Sequence, residues 1–409
     1  MDSFNIFDPD RRELSGPTNA LRLEGTIEGT SKVVYLFLNV GTNIDLQTEC
    51  ANVHSQDFIK YLVDTFHNLS SSNRMYDFFY EARGSLFKVN KRTRRKAALA
   101  LDPLHNRGGT RRAYLDRILP LIRSITEYDK DRDRFGVSEV FKNVRLHYFD
   151  INEILDEAVI SPLLALPVSL CINAFDIPQQ VFDDLGRVRR LINQYLRIYE
   201  MLETDPESSQ LPVDNPVVKR LRKLMYSYRH SSIQKVIRDR LDHYMQEFKN
   251  LDSNITTSLE VFKQHALTLG QRGVVYNRDN QIDAKPVLRI RLEIFSDTHN
   301  RLNSMRELAQ YIVIGITDCY LLRRFADKDY IQNAIIYARG SHIINYVSTL
   351  MGPCQFKLSH ISKPGPFTIP ELNKTISERL STGHSITDLL FQPEYLQCVD
   401  VTAFPKDFL

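Results

Sequence analysis

Three side chains that could bind a metal ion or carry a proton lie at the ends of apolar, strand-like stretches of the sequence. Glu81 ends the stretch RMYDFFYE, Asp150 nearly ends VRLHYFDI, and His342 ends NAIIYARGSH. In open α/β sheets, ligands bind beyond the carboxyl ends of the strands, so side chains at these positions can converge. Carboxylate and imidazole groups are common metal ligands and general bases. Metal- or base-assisted hydrolysis is the chemistry that such a set could perform.

Each candidate also has an interpretation without chemistry. Glu81 could be a general base with a raised pKa or the ion-pair partner of a nearby arginine. His342 could be a ligand, a base or a histidine hydrogen-bonded in a loop. His147 and Asp150 face opposite sides of a regular strand and so cannot both enter one pocket. Cys50 could be a nucleophile, but the residues around it favour a buried, unreactive thiol.

The elements that must position these side chains alternate between strand and helix. Apolar runs and helical spacing predict strands over 32–40, 74–81 and 144–151, with helices over 57–69 and 112–127. Such alternation is typical of βαβ units. The sequence therefore predicts an α/β fold, a mostly parallel sheet flanked by helices, with a large helical insertion.

The predicted domain organisation follows from where helical spacing takes over. Residues 1–152 form an N-terminal α/β part, and residues 153–328 form the helical insertion. A further strand and helix follow, so residues 329–409 are predicted to be a C-terminal α/β part and tail that completes the same sheet.

Charge is distributed unevenly, although the net charge is only +3. Residues 83–112 hold ten Lys/Arg and one acidic residue, and residues 217–249 hold nine Lys/Arg and three acidic residues. These segments are either solvated faces or surfaces for an acidic partner or nucleic acid. The first segment has few aromatic residues for stacking on bases. Its candidate basic patch consists of Arg92, Arg94, Arg95, Lys96, Arg111 and Arg112.

Cysteine usage and hydropathy indicate the cellular compartment in which the protein is expected to work. Five scattered cysteines without a CxxC pair favour reduced thiols in an intracellular setting. The polar N-terminus does not read as a signal peptide, and no apolar run is long enough to predict a membrane span.

The segment YLFLNVGTNIDLQTEC resembles a motif in a group of uncharacterised proteins of giant, large double-stranded DNA viruses. Those proteins in turn look similar to TraB/Tiki-like and ChaN/erythromycin-esterase-like two-motif hydrolases. In the viral group an apolar strand ends in Gly-Asp-x-His and is followed by a cysteine. Here Leu38, Asn39 and Gly41 stand at the glycine, aspartate and histidine positions, and Cys50 is retained.

Two further matches carry the resemblance. Glu81 and Asp150 fit strands that end in acidic residues in the group, although Asn152 stands where the group has arginine. The segment IIYARGSH matches a strand entering Gly-x-x-His, with Arg339 at the glycine position and His342 kept.

The resemblance implies a hydrolase-like scaffold whose site is degenerate. It leaves Glu81 and His342 as ligands, with Asp150 or His147 as helpers, and two ligands hold a catalytic metal poorly. The sequence thus predicts a non-catalytic structural or interaction protein of a large DNA virus, in the virion or host cytoplasm. Its expected partners are other viral proteins, and no cofactor is expected; the oligomeric state stays open. The alternatives are a metal-dependent hydrolase using Glu81 and His342, and a nucleic-acid-associated protein acting through residues 83–112.

Overall fold

The computed structural model forms two compact units. One unit comprises residues 1–151 and 320–409, and the other comprises residues 152–319. The residues that the structure describes are 10–39, 50–83, 128–129, 134–135, 141–150, 159–163, 165–166, 177–208, 210–212, 214–271, 284–391 and 396–408.

The described strands and helices are numbered in chain order. The strands are β1 (Glu13–Ser15), β2 (Asn19–Ile27), β3 (Thr30–Asn39), β4 (Gln56–Asp57), β5 (Tyr76–Arg83), β6 (Tyr128–Asp129), β7 (Arg134–Phe135), β8 (Val144–Asp150), β9 (Asn333–Arg339), β10 (Lys357–Ile361) and β11 (Cys398–Asp400). The helices are α1 (Phe58–Leu69), α2 (Gln179–Thr204), α3 (Pro216–Tyr226), α4 (Ser231–Gln271), α5 (Ala284–Asp327), α6 (Gly340–Met351), α7 (Ile369–Ser381) and α8 (Thr387–Leu390), followed by a 3-10 turn at Lys406–Phe408.

The main sheet has six strands in the order β10-β2-β3-β9-β5-β8. Strands β3, β9, β5 and β8 are parallel, whereas β2 runs antiparallel to both β3 and β10. The α/β class is therefore confirmed, but the prediction of a mostly parallel sheet is wrong, because the sheet is mixed.

The antiparallel edge arises from a hairpin that the sequence-based prediction missed. Ile27 pairs with Thr30, so Glu28 and Gly29 form a two-residue turn. Both residues have positive φ values, 47° and 81°. A turn with positive φ at both central residues matches the twist of a hairpin, and glycine adopts it without steric cost.

One face of the main sheet forms an aromatic core with α1 and the C-terminal tail. Phe37 packs on Phe58 of α1 with ring centroids 4.6 Å apart, and Tyr35 packs on Phe408 at the same distance. The Tyr76 hydroxyl donates to the Phe408 carbonyl at 2.7 Å. The tail is thus an integral part of the core, as its apolar residues predict.

A smaller sheet joins distant parts of the chain in the order β11-β1-β4. Cys50 and Cys398, 348 residues apart, form a disulfide beside it. The expectation that all five cysteines are reduced is therefore wrong for this pair, and Cys319 and Cys354 are not part of it. Sequence spacing could not reveal the pair, because β1 brings the two cysteines together from opposite ends of the chain.

The second unit is helical. Helix α4 packs on α2 and α3, and buries Leu241, Tyr244 and Phe248. Gly315 lies against the Tyr244 ring, so a larger residue there would overlap it. Among the described residues, no helix is both long and apolar enough to cross a bilayer.

Candidate functional site

The sheet brings Glu81 and His342 together at the carboxyl ends of two neighbouring parallel strands. Glu81 lies near the end of β5, and β9 pairs with β5 before the chain turns into α6. His342 lies in the first turn of α6, so its Nε2 is 3.6 Å from Glu81 Oε1. Both side chains are nearly buried, with 7% and 11% exposed. We call Glu81, Arg339 and His342 the edge cluster.

Arg339 occupies both oxygens of the Glu81 carboxylate. Its backbone N–H donates to Oε2 at 2.9 Å, and its Nε lies 3.3 Å from Oε1. Burial alone would raise the pKa of Glu81, but the charges and hydrogen bonds of His342 and Arg339 outweigh it and hold that pKa below its ordinary value. A lowered pKa is the opposite of what a general base needs near neutral pH.

The close turn from β9 into α6 depends on a glycine. The Phe391 ring lies where a side chain at Gly340 would be. Gly340 therefore allows Phe391 to pack against the start of the helix that carries His342.

The positions aligned with the first motif are built into the sheet. Leu38 is fully buried, and Asn39 Nδ2 donates to the Tyr337 hydroxyl at 2.9 Å. Gly41 lies outside the described residues. A carboxamide bonded to a buried tyrosine supplies no negative charge for a metal.

His147 lies away from the edge cluster, and the structure does not place the side chain of Asp150. The backbone of Asp150 pairs with Arg83 at the end of β8, but its side chain lies outside the described part of the structure. The His147 Nε2 lies 2.6 Å from Asp77 Oδ1, toward the amino ends of the strands.

Asp77 is the centre of a second polar group, which we call the buried cluster: Asp77, Arg145, His147 and Arg324. Arg145 donates to both Asp77 oxygens, at 2.9 and 2.6 Å. Arg324 Nε donates to His147 Nδ1 at 3.2 Å, so Nε2 carries the proton that His147 donates to Asp77. Asp77 is fully buried.

Burial and the neighbouring arginines hold the His147 ring neutral. Burial lowers the pKa of His147, and Arg324 and Arg145 lower it further, while Asp77 opposes them. The sequence-based search missed Asp77 and Arg145, although a charged residue inside each apolar strand was the available signal.

Lys32 of β3 caps the C-terminal end of α5. Its ammonium donates to the carbonyls of Phe325, Lys328 and Ile331, at 3.0, 2.9 and 2.6 Å. Burial lowers the pKa of Lys32 to about 8, against the opposing charges of nearby aspartates, Asp77 among them. Cations at a helix C-terminus satisfy carbonyls that lack partners within the helix.

The structure describes the second basic segment but not the candidate patch of the first. The candidate patch within residues 83–112 lies outside the described residues. The second segment is partly neutralised by acidic residues of its own unit: Arg238 pairs with Glu203 at 2.8 Å, and Lys249 pairs with Glu200 at 3.2 Å. Lys219 likewise pairs with Asp214, although both of these side chains are exposed. Part of the charge that predicts an acidic partner is therefore satisfied within the chain.

The fold and the two clusters define a mixed α/β protein with a helical unit inserted between strands of its main sheet. The chain belongs to the family of unknown function DUF5847, whose model matches residues 12–409. It is 27% identical to the uncharacterized protein R706 and 28% identical to the uncharacterized protein R161 of Acanthamoeba polyphaga mimivirus. These matches cover 98% and 97% of this chain and 98% of each relative.

A third mimivirus relative, the uncharacterized protein R160, is 24% identical over the whole of both chains. No solved structure matches the chain. The relatives therefore support a giant-virus protein.

Proposed function

We propose that the chain is a non-catalytic structural or interaction protein of a large DNA virus, working in the particle or its assembly on a degenerate hydrolase-like scaffold. The observation that supports the non-catalytic part is that both carboxylate oxygens of Glu81 already have partners. Both of its oxygens contact Arg339, and His342 lies beside one of them.

The charge of Arg339 makes this arrangement a poor metal site. A divalent ion needs free carboxylate lone pairs and gains from negative charge nearby. Here a guanidinium already neutralises Glu81, and a metal beside it would face a like charge. Arg339 stands where the resembling group has glycine, so the arginine takes over the ion-pairing role that a bound cation would have.

The viral part of the proposal rests on the relatives. They are mimivirus proteins that match this chain over nearly its full length. Other viral proteins are the partners that such a protein would contact.

Metal analysis of the oxidised full-length protein tests the non-catalytic part. We expect substoichiometric zinc, manganese and cobalt in the wild type, unchanged in His342→Ala. His384→Ala is a matched control, because His384 is an exposed histidine elsewhere in the same unit. Stoichiometric metal that disappears with His342→Ala but not with His384→Ala, together with hydrolysis of an ester or peptide, would favour the metal-dependent hydrolase instead.

Quantitative mass spectrometry of purified virus particles tests the viral role. A structural protein is expected at many copies per particle and should stay with the particle after a high-salt wash. Its presence only in infected-cell lysate would reject a role in the particle, and co-purification with assembly intermediates would then be required to keep the role in assembly.

A further inference from the structure

The smaller sheet collects three groups that bind metals. Glu13 is in β1, Cys398 begins β11 on one side of it, and Cys50 precedes β4 on the other. One ligand atom from each lies within 4.8 Å of the others. Glu13 is buried, and its Oε2 is 3.8 Å from Cys398 Sγ. The two sulfurs are joined as a disulfide in this structure.

We propose that reduction of this disulfide creates a site for a thiophilic divalent cation, with zinc as the expected ion, held by Cys50, Cys398 and Glu13. A thiol reductant gives two electrons and two protons to the disulfide and leaves as its own disulfide. Binding of the ion to two thiolates then releases two protons. An oxidant of the disulfide class reverses the sequence and expels the ion.

The distance between Cys398 Sγ and Glu13 Oε2 fits this ion. Zinc binds sulfur at about 2.3 Å and carboxylate oxygen at about 2.0–2.2 Å, so a tetrahedral site separates its ligand atoms by about 3.4–3.8 Å. The separation of Cys398 Sγ from Glu13 Oε2 lies at the upper end of that range. Three protein ligands leave the fourth position for water.

The carboxylate of Glu13 differs from that of Glu81 in what its oxygens contact. Arg11 Nε lies 3.0 Å from Glu13 Oε1, whereas Oε2 faces the sulfur. Arg11 also pairs with Asp400 at 2.7 Å, so its charge is shared between two carboxylates. Two thiolates would add negative charge that the edge cluster does not have.

The site would fasten the C-terminal tail in both redox states. Cys398 is followed directly by Val399 and Val401, which are buried in the aromatic core, and then by Phe404 and Phe408. The disulfide ties this tail to the segment before β4, and a shared metal ion would tie it also to β1 through Glu13. The reduced, metal-free protein would lack either link.

Cobalt titration of the reduced full-length protein tests the site, because Co²⁺ bound by thiolates has a charge-transfer absorption that carboxylate-bound Co²⁺ lacks. We expect one equivalent to bind to reduced protein, none to bind with this absorption in the oxidised protein, and zinc to displace it. Comparing the two redox states of the wild type requires no variant to fold. Absence of the absorption in reduced protein would overturn the proposal.

Variants then assign the ligands. Cys50→Ser and Cys398→Ser should abolish the absorption, whereas Cys354→Ser, which removes a cysteine outside the disulfide, should keep it. Glu13→Gln should weaken binding by about tenfold or more, and Asp400→Asn, which removes the other partner of Arg11, should change it little. Equal affinity of Glu13→Gln and wild type would remove Glu13 from the site, and absorption that survives Cys50→Ser would reject it altogether. Because this site needs reduced cysteines, its failure leaves the result for His342 in oxidised protein unaffected.

Discussion

The two polar clusters at opposite ends of β5 hold their carboxylates in different ways. In the buried cluster, Asp77 is fully buried and accepts hydrogen bonds from Arg145 and His147. In the edge cluster, Glu81 is nearly buried, but its cationic partner Arg339 has 59% of its side chain exposed. Water therefore screens the second ion pair much more than the first.

This difference shows at which end of the strands buried polar groups stabilise the sheet. The carboxyl ends of the strands are where chemistry is expected in α/β folds. In this chain, however, the more deeply buried network lies toward the amino ends, and it connects β5, β8 and α5. The buried cluster thus has a structural role, while the edge cluster is the remnant that the proposed loss of catalysis would leave.

Removing Asp77 should have the largest effect on stability. Asp77→Ala leaves the partly buried Arg145 and the nearly buried His147 without their shared acceptor, and breaking a pair around a fully buried charge in this way costs about 3–5 kcal/mol. We expect a loss of that size in the free energy of unfolding. Urea denaturation followed by tyrosine near-UV circular dichroism measures it, since the chain has no tryptophan, and hydrogen exchange of β5 amides localises it.

Glu378→Gln is the control for that measurement. Glu378 pairs with Lys374 on α7 in the same unit, with 65% and 77% of the two side chains exposed. Its removal should cost less than about 0.5 kcal/mol. If Asp77→Ala were no more destabilising than this control, the buried cluster would not differ from the edge cluster in its contribution to stability.

The neutral state of His147 predicts a pH dependence of intermediate size. In the unfolded chain His147 titrates near its ordinary pKa of about 6.5, whereas its pKa in the folded protein is lower. Between these values the unfolded state binds more protons, so stability is complete above about pH 6.5 and falls as the pH is lowered. The loss from this residue is at most about 1.4 kcal/mol for each pH unit below about 6.5.

His147→Gln should flatten that dependence. Glutamine can still donate to Asp77 and accept from Arg324, but it does not titrate. The pKa of His360 is also lowered by burial, so His360→Gln serves as the control and should keep most of the wild-type slope. Denaturant titrations from pH 5 to pH 8 measure the pH dependence of the free energy of unfolding in the wild type and in both variants. An unchanged slope in His147→Gln would mean that the buried cluster tolerates a charged histidine.

Local sequence signals predicted the parts of the fold that depend on neighbouring residues. The apolar runs that contain Leu36, Phe78 and Ile336 predict three central strands, and the helical spacing of Phe58 and Phe66 predicts α1. The hairpin at Glu28–Gly29 also had a local signal, but without it β2 could not be recognised and the sheet was expected to be mostly parallel.

The contacts that could not be predicted join distant segments. Glu81 and His342 were both candidates, but only the pairing of β5 with β9 shows that they meet and that Arg339 pairs with Glu81. The Cys50–Cys398 disulfide depends on two strands pairing with β1, and the buried cluster depends on the contact of Arg324 with His147, 177 residues away in the chain. No local spacing encodes such contacts.

Breaking the ion pair of Glu81 and Arg339 should have the smallest effect on stability. It also tests most directly how the edge cluster differs from the buried cluster. Arg339→Ala removes the guanidinium but keeps the backbone N–H that donates to Glu81 Oε2. Combined with Glu81→Gln in a double-mutant cycle, it should give a coupling energy below about 1 kcal/mol, because the arginine is largely exposed. Arg145→Met with Asp77→Asn is the matched cycle for the buried cluster, where we expect stronger coupling. Equal coupling energies would mean that Glu81 is held as tightly as Asp77, and the edge cluster would then be a structural ion pair of the same kind rather than the remnant of a site.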